Sequence, residues 1–369
     1  MSLKKPKVLV AMSGGVDSSV AALLMKEQKF QVIGVFIKSY SDSKNDVGEC
    51  NWLSEREYAI KIASKLKIPL ITLDFEKQYK KEVVEKMFLD YKKGITPNPD
   101  VLCNEKVKFP LLIKAAKELN ADFVVTGHYA RIKKVRNKYE LLRAKDETKD
   151  QSYFLFRLKQ NELGKLIFPI GNLRKKQVRE IAKKNKFPNF DKKSTVGICF
   201  IGKVNLKKFL QRKIKPKKGE ILSPKGEVIG EHDGIYYYTI GQRLGPRYGF
   251  DINKSGDNKK YLKKWYVAVK NTKKNRIIAA PENHELLYRE KILLKNPYWI
   301  TEIPKKSNLK VHARIRQVGE LLPSTIKYDK NKKKFIVILN KKVTGVSGGQ
   351  AIVLYKGEKA LGGGEINFE

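Results

Sequence analysis

The chain has 369 residues and carries 78 Lys and Arg against 38 Asp and Glu, a formal net charge of +40. This length accommodates two or three domains with substantial cores, and the excess of positive charge indicates a polyanionic partner, with nucleic acid as the first choice. The three cysteines, Cys50, Cys103 and Cys199, include no Cys-x-x-Cys pair, which argues against a disulfide framework and a zinc or iron–sulfur protein.

The first predicted elements are a strand, a glycine turn and a helix. Val8–Met12 is a short apolar run typical of a strand in a parallel sheet, and Ser13-Gly14-Gly15 interrupts it. A helical period begins near Ser18, with Asp17 or Ser18 predicted as its N-cap. Such a junction binds anions, because its backbone N–H groups are unobstructed and the helix dipole favours negative charge. Asp17 would repel a phosphate there, so we predict that it faces a bridging Mg²⁺ ion.

The rest of the first 200 residues alternates between strand-like and helical runs. The strand-like runs are 32–38, 69–75 and 121–126, the helical runs are 52–66, 109–119 and 175–184, and a hairpin is predicted within 133–156. This alternation predicts a doubly wound parallel sheet that binds ligands beyond the carboxyl ends of its strands. Gly127-His128 and the loop after Met12 both fall at such ends, so we expect them to line one crevice.

From about residue 205 the pattern becomes β-rich. A basic connector at 206–218, with one helix, precedes strand-like runs at 219–229, 236–240, 265–270, 276–280, 311–316, 325–328, 335–339 and 350–355. We predict three domains: an α/β domain at 1–205, a small central β-rich domain at 206–280 and a C-terminal β-barrel at 281–369. No run approaches the ~20 apolar residues of a membrane helix, so we expect a soluble cytoplasmic protein.

A second chemical motif surrounds Cys103. Prolines keep residues 96–99 extended, and Asp100 is predicted to cap a helix that places Cys103 in its first turn. A thiol at that end of a helix has a depressed pKa, although a cysteine in a first turn is more often a small buried hydrophobe. Cys199, between Gly197 and Gly202, is predicted on a tight loop, with an ordinary core position as the alternative. Cys50 has no evident partner and is interpreted as a bystander.

Several motifs together carry a family resemblance. The run Ser13–Ser18 (SGGVDS) resembles the ATP pyrophosphatase (PP-loop) superfamily and differs from the phosphate loops of Walker-type NTPases and dinucleotide-binding proteins. With it, six further motifs resemble the tRNA-specific 2-thiouridylase (MnmA) family: PNPDVLCN (97–104), TGHYAR (126–131), KDQSYFL (149–155), GICFIG (197–202), YTIGQR (238–243) and GGQAIVLY (348–355). That family replaces the C2 oxygen of the wobble uridine in certain tRNAs with sulfur.

The resemblance implies a fold, cofactors and catalytic residues. The α/β domain would be adenine nucleotide alpha hydrolase-like and would use ATP with Mg²⁺. Cys199 would carry a persulfide, Cys103 would be the resolving nucleophile, and Asp100 the acid–base group; the two thiols must come within ~4.4–6.8 Å, Cα to Cα, to form a disulfide. The implied ATP-binding residues are Ala11, Met12, Ser13, Gly14, Gly15, Val16, Asp17, Ser18, Ile37 and Gly127.

The resemblance also implies partners. Asn98, Pro99 and Asp100 would contact the target base, and the other tRNA contacts would be His128, Lys149, Asp150, Gln151, Arg316, Gln317 and Gln350. The expected partners are tRNAs of the Lys, Glu and Gln type and a cysteine desulfurase or persulfide relay protein. The chain departs from the family at Lys193-Ser194-Thr195-Val196, which lacks the usual Asp before the Cys199 loop.

Two other functions remain open from the sequence. Another PP-loop synthetase that adenylates a small molecule would explain the nucleotide loop, but it would leave the cysteine motifs and the charge unexplained. A non-catalytic RNA-binding protein on an ATPase fold would explain the charge, and it would form no AMP from ATP.

Overall fold

The computed structural model describes residues 5–41, 51–193, 205–245, 264–304, 308–330 and 333–368. Its strands are β1 (Lys7–Ala11), β2 (Gln31–Lys38), β3 (Leu70–Asp74), β4 (Phe123–Val125), β5 (Ala130–Val135), β6 (Lys138–Arg143), β7 (Leu166–Ile167), β8 (Gly219–Leu222), β9 (Val228–His232), β10 (Arg243–Leu244), β11 (Trp265–Asn271), β12 (Arg276–Pro281), β13 (Tyr288–Trp299), β14 (Asn308–Arg314), β15 (Leu322–Asp329), β16 (Lys334–Thr344), β17 (Ala351–Lys356) and β18 (Lys359–Asn367).

The helices lie mainly in the first half of the chain. They are α1 (Val16–Glu27), α2 (Asn51–Leu66), α3 (Glu76–Tyr79), α4 (Lys86–Lys92), α5 (Pro99–Cys103), α6 (Phe109–Glu118), α7 (Ser152–Leu155), α8 (Gln160–Leu163), α9 (Lys175–Lys184) and α10 (Leu206–Gln211), with π-helical turns at Lys80–Glu85 and Asn104–Lys108 and 3₁₀ turns at Ile235–Tyr237 and Glu285–Leu287. Among the described residues, no helix combines the length and the apolar character needed to cross a membrane.

The N-terminal region is the predicted parallel sheet. Its order is β3-β2-β1-β4-β7, with parallel register throughout. Alternate residues of β1 face opposite layers, because successive strand side chains point to opposite faces. Leu9 belongs to one buried cluster, and Val8 and Val10 belong to the other. Helices cover both faces, so the doubly wound architecture is confirmed.

The strand order creates a crevice at the end of β1. The chain proceeds from β1 to β2 and β3 on one side and then returns to place β4 on the other side of β1. The loops after β1 and β4 therefore leave the same sheet edge in opposite directions, which is where open α/β sheets bind ligands.

The central sheet has the order β10-β11-β12-β8-β9. Two predictions for this region are wrong in detail. The run 219–229 is split into β8 and β9, because a turn at Gly226 (φ +89°) reverses the chain. The run 236–240 is not a strand: it begins within a 3₁₀ turn, Ile235–Tyr237, where Tyr237 N donates to Gly234 O.

The C-terminal region is a closed antiparallel barrel. Strands β13-β16-β15-β14-β17-β18 follow one another, and pairing of β13 with β18 closes the barrel. The predicted hairpin within 133–156 is shifted: β5 and β6 form it at Ala130–Arg143, and the later part of the predicted range contains the helix α7. This hairpin joins the barrel through the pair Lys359 and Leu142, so the barrel sheet includes strands from the N-terminal region.

Candidate active site

The predicted nucleotide loop lies between β1 and α1 at the carboxyl edge of the parallel sheet. Gly14 adopts φ +74°, and a Cβ there would lie 2.1 Å from the carbonyl oxygen of Glu55 on α2, so the loop requires glycine. The Ser18 hydroxyl donates to Gly15 O at 3.0 Å and accepts from Ser13 N at 3.2 Å. These bonds fold the loop back on the first turn of α1 and leave Ser13 exposed.

The start of α1 differs from the prediction. The helix begins at Val16 and its N-cap is Gly15, in extended conformation, so neither Asp17 nor Ser18 is the cap. Both side chains have other partners, since Ser18 bonds within the loop and Asp17 reaches across the crevice.

Asp17 is bound by a lysine and a tyrosine. The Lys175 ammonium lies 2.6 and 2.7 Å from the two carboxylate oxygens, and the Tyr129 hydroxyl donates to Oδ1 at 2.8 Å. Burial, followed by the neighbouring Asp17 charge, raises the pKa of Tyr129, so this phenol stays protonated and donates. We predicted a metal ion opposite Asp17, whereas here the neutralising charge is an ammonium. Among the described residues no cluster of metal-ligating side chains is found.

Gly127, after β4, completes the crevice. A Cβ on Gly127 would lie 2.7 Å from both Asp17 C and Ser18 N, so the loop after β4 is in direct backbone contact with the first turn of α1, where the loop after β1 ends. The expectation that they line one crevice is confirmed. Nearby, Met12 N donates to Val35 O, and half-buried Ile37 lies two residues further along β2, at the same sheet edge.

Two residues that the motif analysis missed hold this loop. Asn189 is fully buried, and its amide donates to Gly14 O at 2.9 Å and to Ser19 Oγ at 3.0 Å. Lys175 opens α9, and its backbone N–H donates to Asp146. The sequence around Asn189 offers only a polar residue between Pro188 and Phe190, and no local pattern points to Lys175 as a partner of Asp17.

The second motif forms α5. Asn98 is its N-cap, with its side-chain oxygen accepting from Val101 N at 3.2 Å, so the prediction that Asp100 caps the helix is wrong. Pro99 and Asp100 are half-buried at its first two positions. Cys103 is the last residue of α5 and is fully buried, and the chain continues from it into the π-helical turn and α6. Its predicted position in the first turn is therefore wrong.

The other two cysteines lie outside the described residues. This applies to Cys50 and to Cys199 with its flanking glycines, and also to Ser194, Thr195 and Val196. The predicted pairing of Cys103 with Cys199 therefore stays a prediction.

The residues assigned to tRNA contact fall into two groups. Lys149 and Arg316 are exposed. Asp150 is fully buried between guanidinium groups: Arg314 Nη1 lies 2.8 Å and Arg143 Nε 3.5 Å from its Oδ2. Gln317 donates to Asp150 O at 2.6 Å. The network joins the barrel strand β14 to the segment before α7, so Asp150 has no surface to offer RNA.

Three more of the residues expected to contact tRNA form hydrogen bonds within the protein. Gln151 accepts from Tyr129 N at 2.9 Å, and Gln350 donates to the carbonyl oxygens of Thr96 and Pro97. His128 is half-buried, and its Nδ1 lies 2.6 Å from the Thr126 hydroxyl. Burial, with a smaller effect of the Lys108 charge, holds the pKa of His128 well below its usual value, so the ring is neutral.

This arrangement supports chemistry on a bound polyphosphate. A helix N-terminus, an exposed serine and a lysine meet at a crevice floored by glycine, which suits binding and orientation of a nucleotide's phosphates. α6, which begins six residues after Cys103, reaches the same edge, because Phe109 packs on His128 with ring centroids 5.6 Å apart.

Three family models match the chain in order. Residues 6–203 match the model described as "tRNA methyl transferase HUP domain", residues 207–281 "tRNA methyl transferase PRC-barrel domain", and residues 289–366 "Aminomethyltransferase beta-barrel domain".

Curated relatives match over almost the whole chain. The tRNA-specific 2-thiouridylase MnmA of Bacillus subtilis (strain 168) is 42% identical over 98% of this chain and 95% of that protein. The protein of the same name from Lactobacillus helveticus (strain DPC 4571) is 41% identical, with 98% and 96% covered. That of Listeria monocytogenes serovar 1/2a (strain EGD-e) is 40% identical, with 98% and 94% covered.

Solved structures show more distant likeness. An NMN synthetase from Francisella tularensis has a TM-score of 0.33 and 17% identity, with 52% of this chain and 67% of that chain covered. A 4-thiouridine synthetase–RNA complex with bound ATP has a TM-score of 0.37 and 16% identity, with 56% and 50% covered. At these TM-scores neither structure defines the fold or the site.

Proposed function

The chain belongs to the tRNA-specific 2-thiouridylase MnmA family, and we propose that it uses ATP to replace the C2 oxygen of the wobble uridine of tRNA with sulfur. The observation that carries the proposal is the crevice at the end of β1. There the SGGVDS loop, Gly127 and the Asp17–Lys175 pair meet at the N-terminus of α1. The net charge of +40 supports a polyanionic substrate.

The first proposed step is adenylation of the uridine. The C2 oxygen attacks the α-phosphorus of ATP, pyrophosphate leaves, and the oxygen becomes a good leaving group. We propose that the N–H groups at the start of α1, the Ser13 hydroxyl and the Lys175 ammonium hold the departing pyrophosphate. We propose ATP-bound Mg²⁺ as an accompanying ion, with Lys175 and not the metal as the partner of the Asp17 carboxylate.

The second proposed step transfers sulfur. The terminal sulfur of a persulfide on Cys199 attacks C2, and AMP leaves with the original oxygen. The Cys103 thiolate then attacks Cys199 Sγ, which forms a disulfide and releases 2-thiouridine. Asp100 is proposed to move the protons, and a cellular reductant must reduce the disulfide. Because Cys103 is fully buried, this step requires α5 to open or shift.

The remaining assignments are proposals of the same kind. We propose the domain bounds 1–205, 206–280 and 281–369, cytoplasmic location, tRNAs of the Lys, Glu and Gln type as substrates, and a cysteine desulfurase or relay protein as the sulfur donor. Asn98, Pro99 and Asp100 are proposed to face the target base, and exposed Lys149 and Arg316 to contact tRNA.

Mass spectrometry of tRNA nucleosides tests this function. The protein is incubated with unmodified tRNA, ATP, Mg²⁺ and a persulfide donor, and 2-thiouridine is expected only when all are present. Two of the matching family models are described with the words methyl transferase, so a parallel incubation contains a methyl donor without ATP. A methylated uridine there, with no 2-thiouridine in the first reaction, would contradict the proposal.

A further inference from the structure

We propose that Gln350 of the barrel is a positioning residue for α5, the helix that carries Asp100 and Cys103. Its side-chain amide holds the loop in front of that helix, instead of contacting RNA as the family resemblance implies. The catalytic part of this inference rests on the proposed function, and the structural part stands without it.

The Gln350 amide bridges two consecutive backbone carbonyl groups. Its Nε2 lies 3.1 Å from Thr96 O and 2.7 Å from Pro97 O. Thr96 and Pro97 are buried, while Gln350 is half-buried. A buried carbonyl group that loses its hydrogen-bond donor destabilises the fold, so removing this amide should have a larger effect than removing an exposed glutamine.

The barrel backbone reinforces the same contact. Thr96 N donates to Gly348 O at 3.1 Å. A Cβ on Gly349 would lie 2.2 Å from Ile95 Cγ2 and 2.9 Å from Thr96 O, so the two chains are in direct contact there. The segment Gly348–Gln350 and the loop thus form one packed unit.

The loop receives further bonds from both sides. Thr96 Oγ1 lies 3.3 Å from Thr239 Oγ1 of the central region. Asn98 Nδ2 lies 3.5 Å from the Tyr153 hydroxyl, which itself donates to Ala351 O at 2.8 Å. All three regions of the chain therefore meet at residues 96–98.

Helix α5 comes directly after this loop in the chain. Asn98 caps the helix, and Asp100 occupies its second position. Asn98 alone lies between Pro97 and the first residue of α5, so the position of Thr96 and Pro97 sets the position of Asp100 and the depth at which Cys103 is buried. The barrel therefore completes the site from outside the α/β domain.

Hydrogen exchange tests the structural part. Gln350→Met keeps the length of the side chain and removes the donor. We expect amide exchange in the peptide spanning 95–104 to accelerate roughly tenfold, together with faster alkylation of Cys103 measured by peptide mass spectrometry. Gln160→Met is the matched control, because Gln160 Nε2 also bridges two carbonyl groups, Tyr139 O and Ile300 O, neither of which lies in this peptide.

Steady-state thiolation tests the catalytic part. Gln350→Met should lower kcat roughly tenfold and leave KM for tRNA within about twofold. In Gln350→Glu an ionised carboxylate faces two carbonyl oxygens, and a protonated one can donate again. Its kcat relative to wild type should therefore rise as pH falls, whereas that of Gln350→Met should not.

Unchanged exchange in 95–104, with a raised KM for tRNA and an unchanged kcat, would overturn the inference and make Gln350 an RNA contact. Exchange equally fast in the Gln160→Met control would also overturn it, since the effect would then be general loosening. Wild-type protein that makes no 2-thiouridine contradicts the proposed function alone, because exchange and alkylation need neither ATP nor tRNA.

Discussion

Asp17 and Lys175 form an ion pair beside the nucleotide loop. The sequence indicates that a carboxylate beside a phosphate site needs a positive charge, and Lys175 supplies one. The sequence could not identify that charge, because 158 residues separate the two side chains and only the packing of α9 beside α1 brings them together.

Replacing Lys175 by Met tests that pair. Charge-assisted hydrogen bonds contribute about 1.5–3 kcal/mol, so tRNA-dependent pyrophosphate release should slow roughly ten- to a hundredfold. Lys176→Met is the control, since the Lys176 side chain is 89% exposed and lies in a surface ion pair with Glu180. Equal rates of pyrophosphate release in the two variants would show that Lys175 has no role at the nucleotide loop.

Lys270 gives a residue-level prediction about pH. Burial lowers its pKa to about 8, and its ammonium donates to Tyr238 O at 2.6 Å. The unfolded chain holds this proton until about pH 10.5, so folding releases it between these values and stability rises with pH through that window. One pKa unit corresponds to about 1.4 kcal/mol. Between about pH 7.5 and 10, the free energy of unfolding of the wild type should therefore rise by on the order of 2 kcal/mol relative to that of Lys270→Met. An equal difference in unfolding free energy between wild type and Lys270→Met at both pH values, measured with urea, would contradict this prediction.

Elements with a clear hydrophobic period were predictable. The helix at 175–184 has the bounds of α9, and the β1 and β2 runs were placed within a residue of their ends. Elements held by long-range contacts were not. Strand β18 contains three consecutive glycines, which have low strand propensity, and it exists because β13 and β17 pair with it. The cap of α5 was misplaced by two residues, because Asn98 and Asp100 are both good caps.

The contact between the β4 loop and α1 is an element-level test. In Gly127→Ala the new Cβ lies 2.7 Å from two backbone atoms of α1, so one loop must move. We expect KM for ATP to rise about tenfold or more, with a loss of about 1–3 kcal/mol in stability. Gly245→Ala is the control, because no atom of the described part of the chain lies within 4 Å of a Cβ there. Wild-type KM for ATP in Gly127→Ala would contradict this account of the crevice.

At the scale of the whole molecule, Asp150 ties the barrel to the α/β domain. It accepts from Ser152 N at 3.1 Å and is held by Arg314 and Arg143. The motif containing Asp150 was evident in the sequence, but its role was assigned to RNA. No local feature of the sequence reveals that Arg314 of the barrel, 164 residues away, pairs with the Asp150 carboxylate and covers it.

Asp150→Ala should therefore act on stability before it acts on RNA binding. It leaves the buried Arg314 guanidinium without the carboxylate 2.8 Å away, whereas Arg143 keeps its ion pair with Glu147. We expect a loss of about 3–5 kcal/mol in the free energy of unfolding measured with denaturant. Glu320→Ala breaks the exposed Lys341–Glu320 pair and should change stability by less than about 1 kcal/mol. Wild-type stability with weakened tRNA binding in Asp150→Ala would restore the RNA-contact role.

The most direct measurement of the central claim follows one oxygen atom. A tRNA carrying a heavy oxygen isotope at C2 of the wobble uridine is incubated with ATP, Mg²⁺, a persulfide donor and the protein, and AMP is analysed by mass spectrometry. The account predicts that the heavy oxygen appears in the phosphate of AMP, one per 2-thiouridine formed. AMP that stays unlabelled while 2-thiouridine accumulates would contradict activation of the uridine by the nucleotide loop.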